Sequence, residues 1–331
     1  MCEGGKSTNA APAWLFPLCM LVLIGARADA YSQDYPSKPI RAVVPWPPGG
    51  SSDTMARLLG QKLAERWGQQ VIVENRPGAG TTIGNELVAR APADGYTILV
   101  TATGLVASSL LYSNLTYSVE KDFSPVSLVA TAPSVLVVHP SLPVHSVSDL
   151  VILARQKPGT INYASGGSGS SDHIAAELFK LLAKVSLVHI PYKGATPALT
   201  DLLAGNTQVM FCIAITAMPH LKTGKLRGLG VTGAKRSELM AGLPTLAEAG
   251  IPGYAFDTWL GVLAPAGTAP AIVTRVNGEI RKILALSEIG EKVKAMGAEP
   301  VGSTSAEFAA KIQSDISTIG KVVKISGMKV D

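Results

Sequence analysis

Short apolar segments alternate with amphipathic segments along most of this chain, and this alternation constrains the fold more than any other feature. We predict strands at 40–45, 70–74 and 96–101, because each is a short apolar run. The intervening segments 53–67 and 82–91 carry apolar residues at helical spacing. Such alternation is typical of a parallel sheet with helices on both faces. The sequence therefore predicts an α/β fold.

The middle of the chain repeats the alternation, which indicates a second α/β unit. There we predict strands at 134–138, 161–164, 187–190, 209–213 and 226–231, and helices at 147–156, 172–183 and 197–204. A strand-like run at 259–264 follows, and then two long helices at 271–286 and 304–323, which we expect to pack on the first unit. Thr304 and Glu307 have the spacing of a capping box.

The chain is long enough for two domains, and its composition permits a large core. It has 331 residues, of which 47% are hydrophobic and 16% charged. Because no low-complexity linker separates the two units, we expect chain crossings inside the fold to join them. We predict lobe 1 from residues 31–131 plus 253–331, and lobe 2 from residues 132–252.

The N-terminus has the features of a signal peptide. Residues 14–25 are almost continuously apolar, and residues 28–30 form a small-x-small pattern. The apolar run is shorter than the roughly 20 residues that span a bilayer. We therefore predict a signal peptide over residues 1–30, cleavage before Tyr31, and a periplasmic location.

Charge and cysteine content exclude several classes of protein. The net charge of +5 suits an anionic ligand. The sequence has no Lys/Arg run with interleaved aromatics, so it does not indicate a nucleic-acid partner. Cys2 and Cys19 lie in the predicted signal peptide, so Cys212 alone remains and no internal disulfide is expected. We interpret Cys212, inside an apolar run, as a small buried hydrophobe.

Two loops with similar sequences each follow a predicted strand and open a predicted helix. Residues 45–53 and 164–172 both end in Gly-Ser-Ser-Asp. The first turn of a helix has unpaired N–H groups at its positive end, and glycines let an anion approach them. In the alternative interpretation, Ser and Asp only cap the helices and Gly only makes the turns. We predict anion binding by Pro48, Gly49, Gly50, Ser51, Asp53, Ser165, Gly167, Ser168 and Ser170.

Further candidates lie near the second loop and at the predicted return to lobe 1. His173 is in the first turn of the second loop's helix, where it could contact a ligand or serve a structural role. Tyr192, Lys193 and Gly194 follow a predicted strand, whose carboxyl end commonly borders a ligand crevice; Lys193 could equally be solvated surface. Asp257 could accept a ligand hydroxyl or amine, but a role at the hinge is favoured.

The sequence gives little support for catalysis. Neither loop ends in the Lys-Ser/Thr of a P-loop, and neither completes a dinucleotide-binding fingerprint. A nucleophile elbow would need Gly where Ser170 stands. A secreted serine hydrolase using Ser168 or Ser170, with His189 or His220 as base, is the remaining alternative. Because no His or Cys pair has ligand spacing, we predict no metal, and we also predict no cofactor and no enzymatic activity.

Several stretches taken together resemble one family. They are residues 35–40, 45–53, 74–80, 93–97, 121–123, 163–173, 191–194, 244–250 and 264–270. The chain resembles the Bug receptors, the solute-binding components of tripartite tricarboxylate transporters. The resemblance implies a type II periplasmic binding protein fold, with two α/β lobes and a ligand cleft between them. It also implies a small carboxylate ligand and two membrane permease subunits as partners. We expect a monomer.

The resemblance extends to the site. It implies that the loops at 48–53 and 165–170 meet a ligand carboxylate, partly through backbone groups and ordered water. Residues 101–108 match a ligand-contacting segment of the family, which adds Thr101 and Thr103 to the expected site.

The sequence departs from the family at places that affect the ligand. Ser109-Leu110 stands where the family often has Asn-Pro, and Cys212 stands where it often has an acidic residue. These changes leave the identity of the carboxylate open. A ligand sensor acting on a membrane-bound signalling partner would share the same two lobes, so that alternative also stays open.

Overall fold

The observed helices and strands follow the alternation seen in the sequence. The structure is a computed structural model, and it describes residues 1–2, 4–5, 35–167, 169–192 and 195–327, with the backbone alone at 215. In chain order the elements are β1 (Ile40–Val44), α1 (Ser51–Trp67), β2 (Val71–Asn75), α2 (Thr82–Ala89), β3 (Thr97–Ala102), α3 (Gly104–Leu111), β4 (Phe123–Ala132), β5 (Ser134–Val138), α4 (Val147–Gln156), β6 (Asn162–Ser165), α5 (Ser171–Ala183), β7 (Val188–Pro191), α6 (Ala195–Leu203), β8 (Val209–Ile213), α7 (Ala214–Lys222), β9 (Arg227–Val231), β10 (Thr258–Pro265), α8 (Pro270–Leu284), α9 (Ser287–Ala295), β11 (Glu299–Pro300) and α10 (Ser305–Ser326). Short 3₁₀ turns occupy Ala79–Thr81 and Glu238–Met240.

Residues 1–37 and 38–331 form two separate units. The described residues of the first unit contain no helix or strand. The predicted signal peptide lies almost entirely outside the described part of the chain. All the elements named above belong to the second unit. Within the described residues, no helix is long and apolar enough to cross a membrane.

Two sheets organise the second unit. The first has the order β11-β4-β10-β3-β1-β2 and the second the order β7-β6-β8-β5-β9. β1 is parallel to both β2 and β3, as the sequence predicts. β10 is antiparallel to both β3 and β4, so the sheet as a whole is mixed. The direction reverses because the chain re-enters the first sheet from the second.

The helices pack through the apolar faces that their spacing predicts. In α1, Met55, Leu59 and Leu63 are buried on one side. This helix ends at Gly68, whose φ of 68° is the left-handed conformation that glycine adopts readily and whose N–H donates to the Ala64 carbonyl. The capping box predicted for α10 is confirmed, because Thr304 and Glu307 bond reciprocally.

Helix α10 packs on more than the first sheet. Its Phe308 ring meets the ring of Trp259 edge-on at a centroid distance of 5.1 Å. The Trp259 indole N–H donates to the Asp315 carboxylate at 2.7 Å. Gly261 is required beneath this contact, because a β-carbon there would overlap the Phe308 ring. α10 packs on β4 and α3, as the sequence predicts, and it also contacts α5, which packs on the second sheet.

We expect Phe308→Ala to lower the free energy of unfolding by about 3–5 kcal/mol, since this ring is fully buried and its removal leaves a cavity. Urea denaturation of the two proteins measures the difference. Ile325→Ala is the matched control on the same helix, because Ile325 is 64% exposed and should change the free energy by less than about 0.5 kcal/mol. Equal effects of the two substitutions would contradict the packing described.

Candidate functional site

The chain connections make the carboxyl ends of the two sheets' parallel strands face each other. β4 is antiparallel to β10, which is antiparallel to β3, so β4 ends at the same edge as β3. β5 starts opposite the end of β8, at the pair Ser134 and Ile213. Pro133 alone separates β4 from β5. A single residue therefore joins the two carboxyl edges, and the cleft of this two-lobed fold lies between them.

Both predicted loops lie at this cleft edge. The first connects β1 to α1, and the second connects β6 to α5. Pro48, Gly49, Gly50 and Ser51 are exposed. Gly49 and Gly167 have φ values of 86° and 125°, so these turns depend on glycine.

The buried carboxylate of Asp53 holds the first loop through hydrogen bonds. Its Oδ2 accepts the Gly49 N–H at 2.9 Å, and its Oδ1 accepts the Asn75 amide at 3.0 Å and lies 3.0 Å from the Arg57 guanidinium. Burial alone would raise the pKa of Asp53, but the hydrogen bonds from Arg57, Gly49 and Asn75 lower it below its ordinary value. The carboxylate is thus ionised and held by the chain's own donors, so Asp53 shapes the loop.

Asp172 plays the same part in the second loop. Its Oδ2 accepts the Gly166 N–H at 2.6 Å, and its Oδ1 accepts the His173 N–H at 3.1 Å. Ser170 donates its hydroxyl to the Gly167 carbonyl at 2.5 Å. The repeated Gly-Ser-Ser-Asp therefore forms the same local structure in both loops: the aspartate carboxylate accepts the N–H of a glycine earlier in its own loop.

Because these side chains bond to the loops, they leave the helix starts open. The residues before the helices, Gly50 and Ser170, are extended and offer no side-chain cap within the described chain. The first-turn N–H groups of α1 are then available to an anion, as are those of α5 apart from the His173 N–H, which Asp172 accepts, and the helix dipole favours negative charge there. The capping alternative therefore holds in part for Asp172, whose Oδ1 accepts the His173 N–H, whereas Asp53 bonds to Gly49, Asn75 and Arg57.

Ser165 is fully buried, and its hydroxyl is occupied by protein groups. It lies 2.5 Å from His189 Nε2 and accepts the Gly167 N–H at 3.2 Å. The sequence predicted direct ligand contact for Ser165, whereas this geometry makes it a residue that positions the loop. Ser168, Lys193 and Gly194 lie outside the described residues.

Three stacked rings support the second loop from behind. His189 lies between Tyr163 and His173, with centroid distances of 4.9 and 3.9 Å. His173 Nδ1 accepts the Gly169 N–H at 3.0 Å, which favours a structural role for His173. Burial, followed by the charge of neighbouring His189, lowers the pKa of His173 to about 4. Burial also lowers the pKa of His189. Both rings are therefore neutral at physiological pH.

The carboxylate of Glu177 lies next to this stack of rings. Glu177 accepts the Tyr163 hydroxyl at 2.5 Å and the Lys180 ammonium at 2.6 Å. It also lies 3.9 Å from His173 Nε2. The charge of Glu177 opposes the lowering of the two histidine pKa values, and the charge of Lys180 offsets part of that effect, so burial remains the dominant cause.

The other predicted residues occupy different positions around the cleft. Thr103 Oγ1 accepts the Trp259 N–H at 2.9 Å, so Thr103 ties β3 to β10. Thr101 Oγ1 is buried and has no hydrogen-bond partner among the described residues. The same is true of Trp46 Nε1, which follows the end of β1. Tyr192 gives its hydroxyl to Asp201. The two unpartnered atoms are suited to a ligand or an ordered water.

Asp257 lies at the second chain crossing, just before β10. A β-carbon on Gly233 would be 2.8 Å from its carboxylate, so the carboxyl group rests directly on the backbone of the crossing segment. Burial raises the pKa of Asp257 to about 6. Its Oδ1 is buried and has no hydrogen-bond partner among the described residues, so this placement is compatible with both the hinge role and ligand contact.

Sequence reasoning missed some supporting residues. Asn75 bonds the Trp46 carbonyl at 3.0 Å as well as Asp53, and it ends β2, next to β1. A polar residue at the carboxyl end of a neighbouring strand was the available signal. Glu177 had none, because a single charged residue in an amphipathic helix has the same pattern whether it is buried or solvated.

Comparison with known proteins agrees with this fold. The family model described as "Tripartite tricarboxylate transporter family receptor" matches residues 55–328. A relative from Pseudomonas sp. (strain P51), a UPF0065 protein in the tcbD-tcbE intergenic region, is 41% identical over 90% of this chain and 88% of its own length. Protein BugT of Bordetella pertussis is 36% identical over 92% of this chain and 94% of its own.

Solved structures give the same result. R. palustris Rpa4515 with adipate has a TM-score of 0.73 and 38% identity, covering 89% of this chain and 99% of that one. MatC of R. palustris with bound malate has a TM-score of 0.69 and 31% identity, covering 87% and 100%. The fold is that of the two-lobed periplasmic binding proteins. The chain belongs to the tripartite tricarboxylate transporter receptor family, which includes the Bug proteins; the predicted fold class and family are confirmed.

The depressed pKa of His173 predicts loss of stability in acid. Between pH 6.5, its ordinary pKa, and about 4, the unfolded chain binds a proton that the folded chain does not. The free energy of unfolding should fall over this window, and His173 should account for about 1–3 kcal/mol of the fall.

Urea denaturation at several pH values tests this expectation. His173→Gln should reduce the slope between pH 6.5 and 4, whereas His145→Gln, at an exposed position, should leave it unchanged. If both variants kept the wild-type slope, burial of a neutral His173 would be wrong.

Proposed function

We propose that this protein is a periplasmic receptor that captures a small carboxylate between its two lobes and delivers it to a tripartite transporter. The observation that carries the proposal is the pair of uncapped helix starts, one in each lobe, at facing edges of the two sheets. Membership in a family of transporter receptors supports delivery to membrane permease subunits. We further propose that a signal peptide over residues 1–30 directs export and that the receptor is a monomer.

The charge arrangement supports a ligand held mainly by neutral donors. Arg57, the cation beside the first loop, is paired with Asp53. Backbone N–H groups at a helix start can bind a carboxylate without any Lys or Arg. Two such starts suit a ligand with two carboxylates, and the related structures with adipate and malate support this class of compound. In this proposal Pro48, Gly49, Gly50 and Ser51 contact the ligand.

The proposal treats the protein as a binder with no catalytic activity. Of the serines considered as nucleophiles, Ser170 donates to a carbonyl in its own loop. Ser165, which lies 2.5 Å from His189 Nε2, is fully buried. A hydroxyl that no substrate can reach does not act as a nucleophile.

Thermal denaturation in the presence of adipate, malate, citrate and benzoate tests the ligand class. A ligand bound to the native state stabilises it by about 2.7 kcal/mol at a hundredfold excess over its Kd. We expect a dicarboxylate to raise the Tm. If no acid raises the Tm, including after unfolding and refolding to remove a co-purified ligand, the carboxylate proposal is wrong.

Ser51→Pro tests the backbone donors. Ser51 is the first residue of α1, where proline fits the helix and removes a single N–H. Gly50 before it is extended, with ψ of 170°, which proline also accepts. A hydrogen bond to a charged group contributes about 1.5–3 kcal/mol, so we expect Kd for the selected carboxylate to rise about 10- to 150-fold by calorimetry.

Two matched variants separate the N–H group from other effects. Ser51→Ala removes the hydroxyl and keeps the N–H, so it should change Kd much less. Ser287→Pro makes the same change at the exposed first residue of α9 and should not affect binding. Unchanged affinity in Ser51→Pro would show that the first helix start does not hold the ligand.

A further inference from the structure

A second concave surface lies on the second sheet, at the end opposite the cleft. β9 pairs with β5 so that Val231 is opposite Val135 near the cleft, and Arg227 is opposite Val138 at the far end. Arg227 lies four residue steps along the strand from Val231, a distance of roughly 13 Å. A groove of about 690 Å³ opens beside Arg227. It is distinct from the ligand cleft, and an inference about it does not rest on the proposed function.

The walls of this groove are apolar. Met218 and Leu221 come from α7, and Leu239 and Leu243 come from the segment after β9. All four are partly exposed. Methionine side chains adapt to ligands of irregular shape. The surface can therefore bind an apolar group. The apolar walls alone do not identify the ligand that carries it.

The charge at the rim restricts the choice of occupant. Lys222 and Arg227 line the groove, and its lining contains no Asp or Glu. The Arg227 guanidinium donates to the Val144 carbonyl at 2.6 Å, which holds it in place. Among the described residues, no carboxylate pairs with either cation. The groove thus combines an apolar floor with uncompensated positive charge.

The size of the groove favours a small molecule over a protein segment. Its volume lies inside the range of about 300–1,000 Å³ found for small-molecule sites. A stable protein partner would instead cover about 800 Å² and 20–30 residues, more than the 13 residues that line this groove.

We propose that this groove is a second ligand site, for an amphipathic carboxylate with an unbranched alkyl chain. The alkyl chain lies along Met218, Leu221, Leu239 and Leu243, and the carboxylate lies at Lys222 and Arg227. Neither part suffices alone: a short carboxylate lacks apolar contact, and an alkyl cation meets like charge.

Titration of the methionine-methyl-labelled protein with sodium decanoate tests the proposal by NMR. We expect a saturable shift of the Met218 methyl signal, assigned with Met218→Leu. The signal of Met55, buried in the other lobe, should not move. Decyltrimethylammonium, with the same chain and the opposite charge, should bind at least about fivefold more weakly, as loss of an exposed charge pair predicts. Adipate should leave Met218 unchanged.

Two exposed lysines give the matched variants. Lys222→Glu should weaken decanoate binding about fivefold or more, and Lys225→Glu, three residues away and outside the groove lining, should not. An unchanged Met218 signal in decanoate would overturn the proposal. Equal binding of the alkyl cation, or equal loss in the two lysine variants, would overturn it as well, because either result means that the surface does not select an anion.

Discussion

The one-residue crossing at Pro133 is the constraint on which the rest of the molecule depends. β4 and β5 belong to different sheets, yet no loop separates them. The crossing fixes which edges of the sheets can meet, and these are the edges where β1, β3, β6 and β8 end. Thr232 reinforces it from the second crossing, because its N–H donates to the Ser134 carbonyl at 2.9 Å and its hydroxyl accepts the Ser134 N–H at 3.1 Å. Short crossings of this kind permit rotation of the lobes while they hold the two loops opposite one another.

Within that frame, two aspartates determine the local chemistry. An aspartate near a helix start would ordinarily cap that helix and neutralise its dipole. Asp53 and Asp172 instead accept N–H groups from Gly49 and Gly166, earlier in their own loops. Each loop gains a fixed conformation, and each helix keeps donors at its positive end, although Asp172 also accepts the first-turn N–H of His173. The same bonds explain why a loop so rich in glycine can present its backbone in one arrangement.

The sequence predicted much of the fold because its signals are local. Strands such as Ser134–Val138 and Val209–Ile213 were predicted with their observed bounds, since short β-branched and apolar runs strongly favour a buried strand. The direction of β10 and the long strand β4 were missed, because pairing across the sequence has no local pattern. At the site, the loops were found from their glycines and serines. The roles of Ser165 and Asn75 were not, because their partners lie 24 and 22 residues away along the chain.

The proposed site of backbone N–H donors also accounts for closure of such a cleft. An arginine facing an empty cleft would have to be desolvated on closure, and a buried cation without its partner costs several kcal/mol. Here Arg57 is already paired with Asp53, and the stacked rings of His173 and His189 behind the second loop are neutral. The Asp53–Arg57 pair and these two rings therefore add no net charge beside the loops. Under the proposed function, the negative charge that closure buries is the ligand's own, and the helix starts of the two lobes both stabilise it.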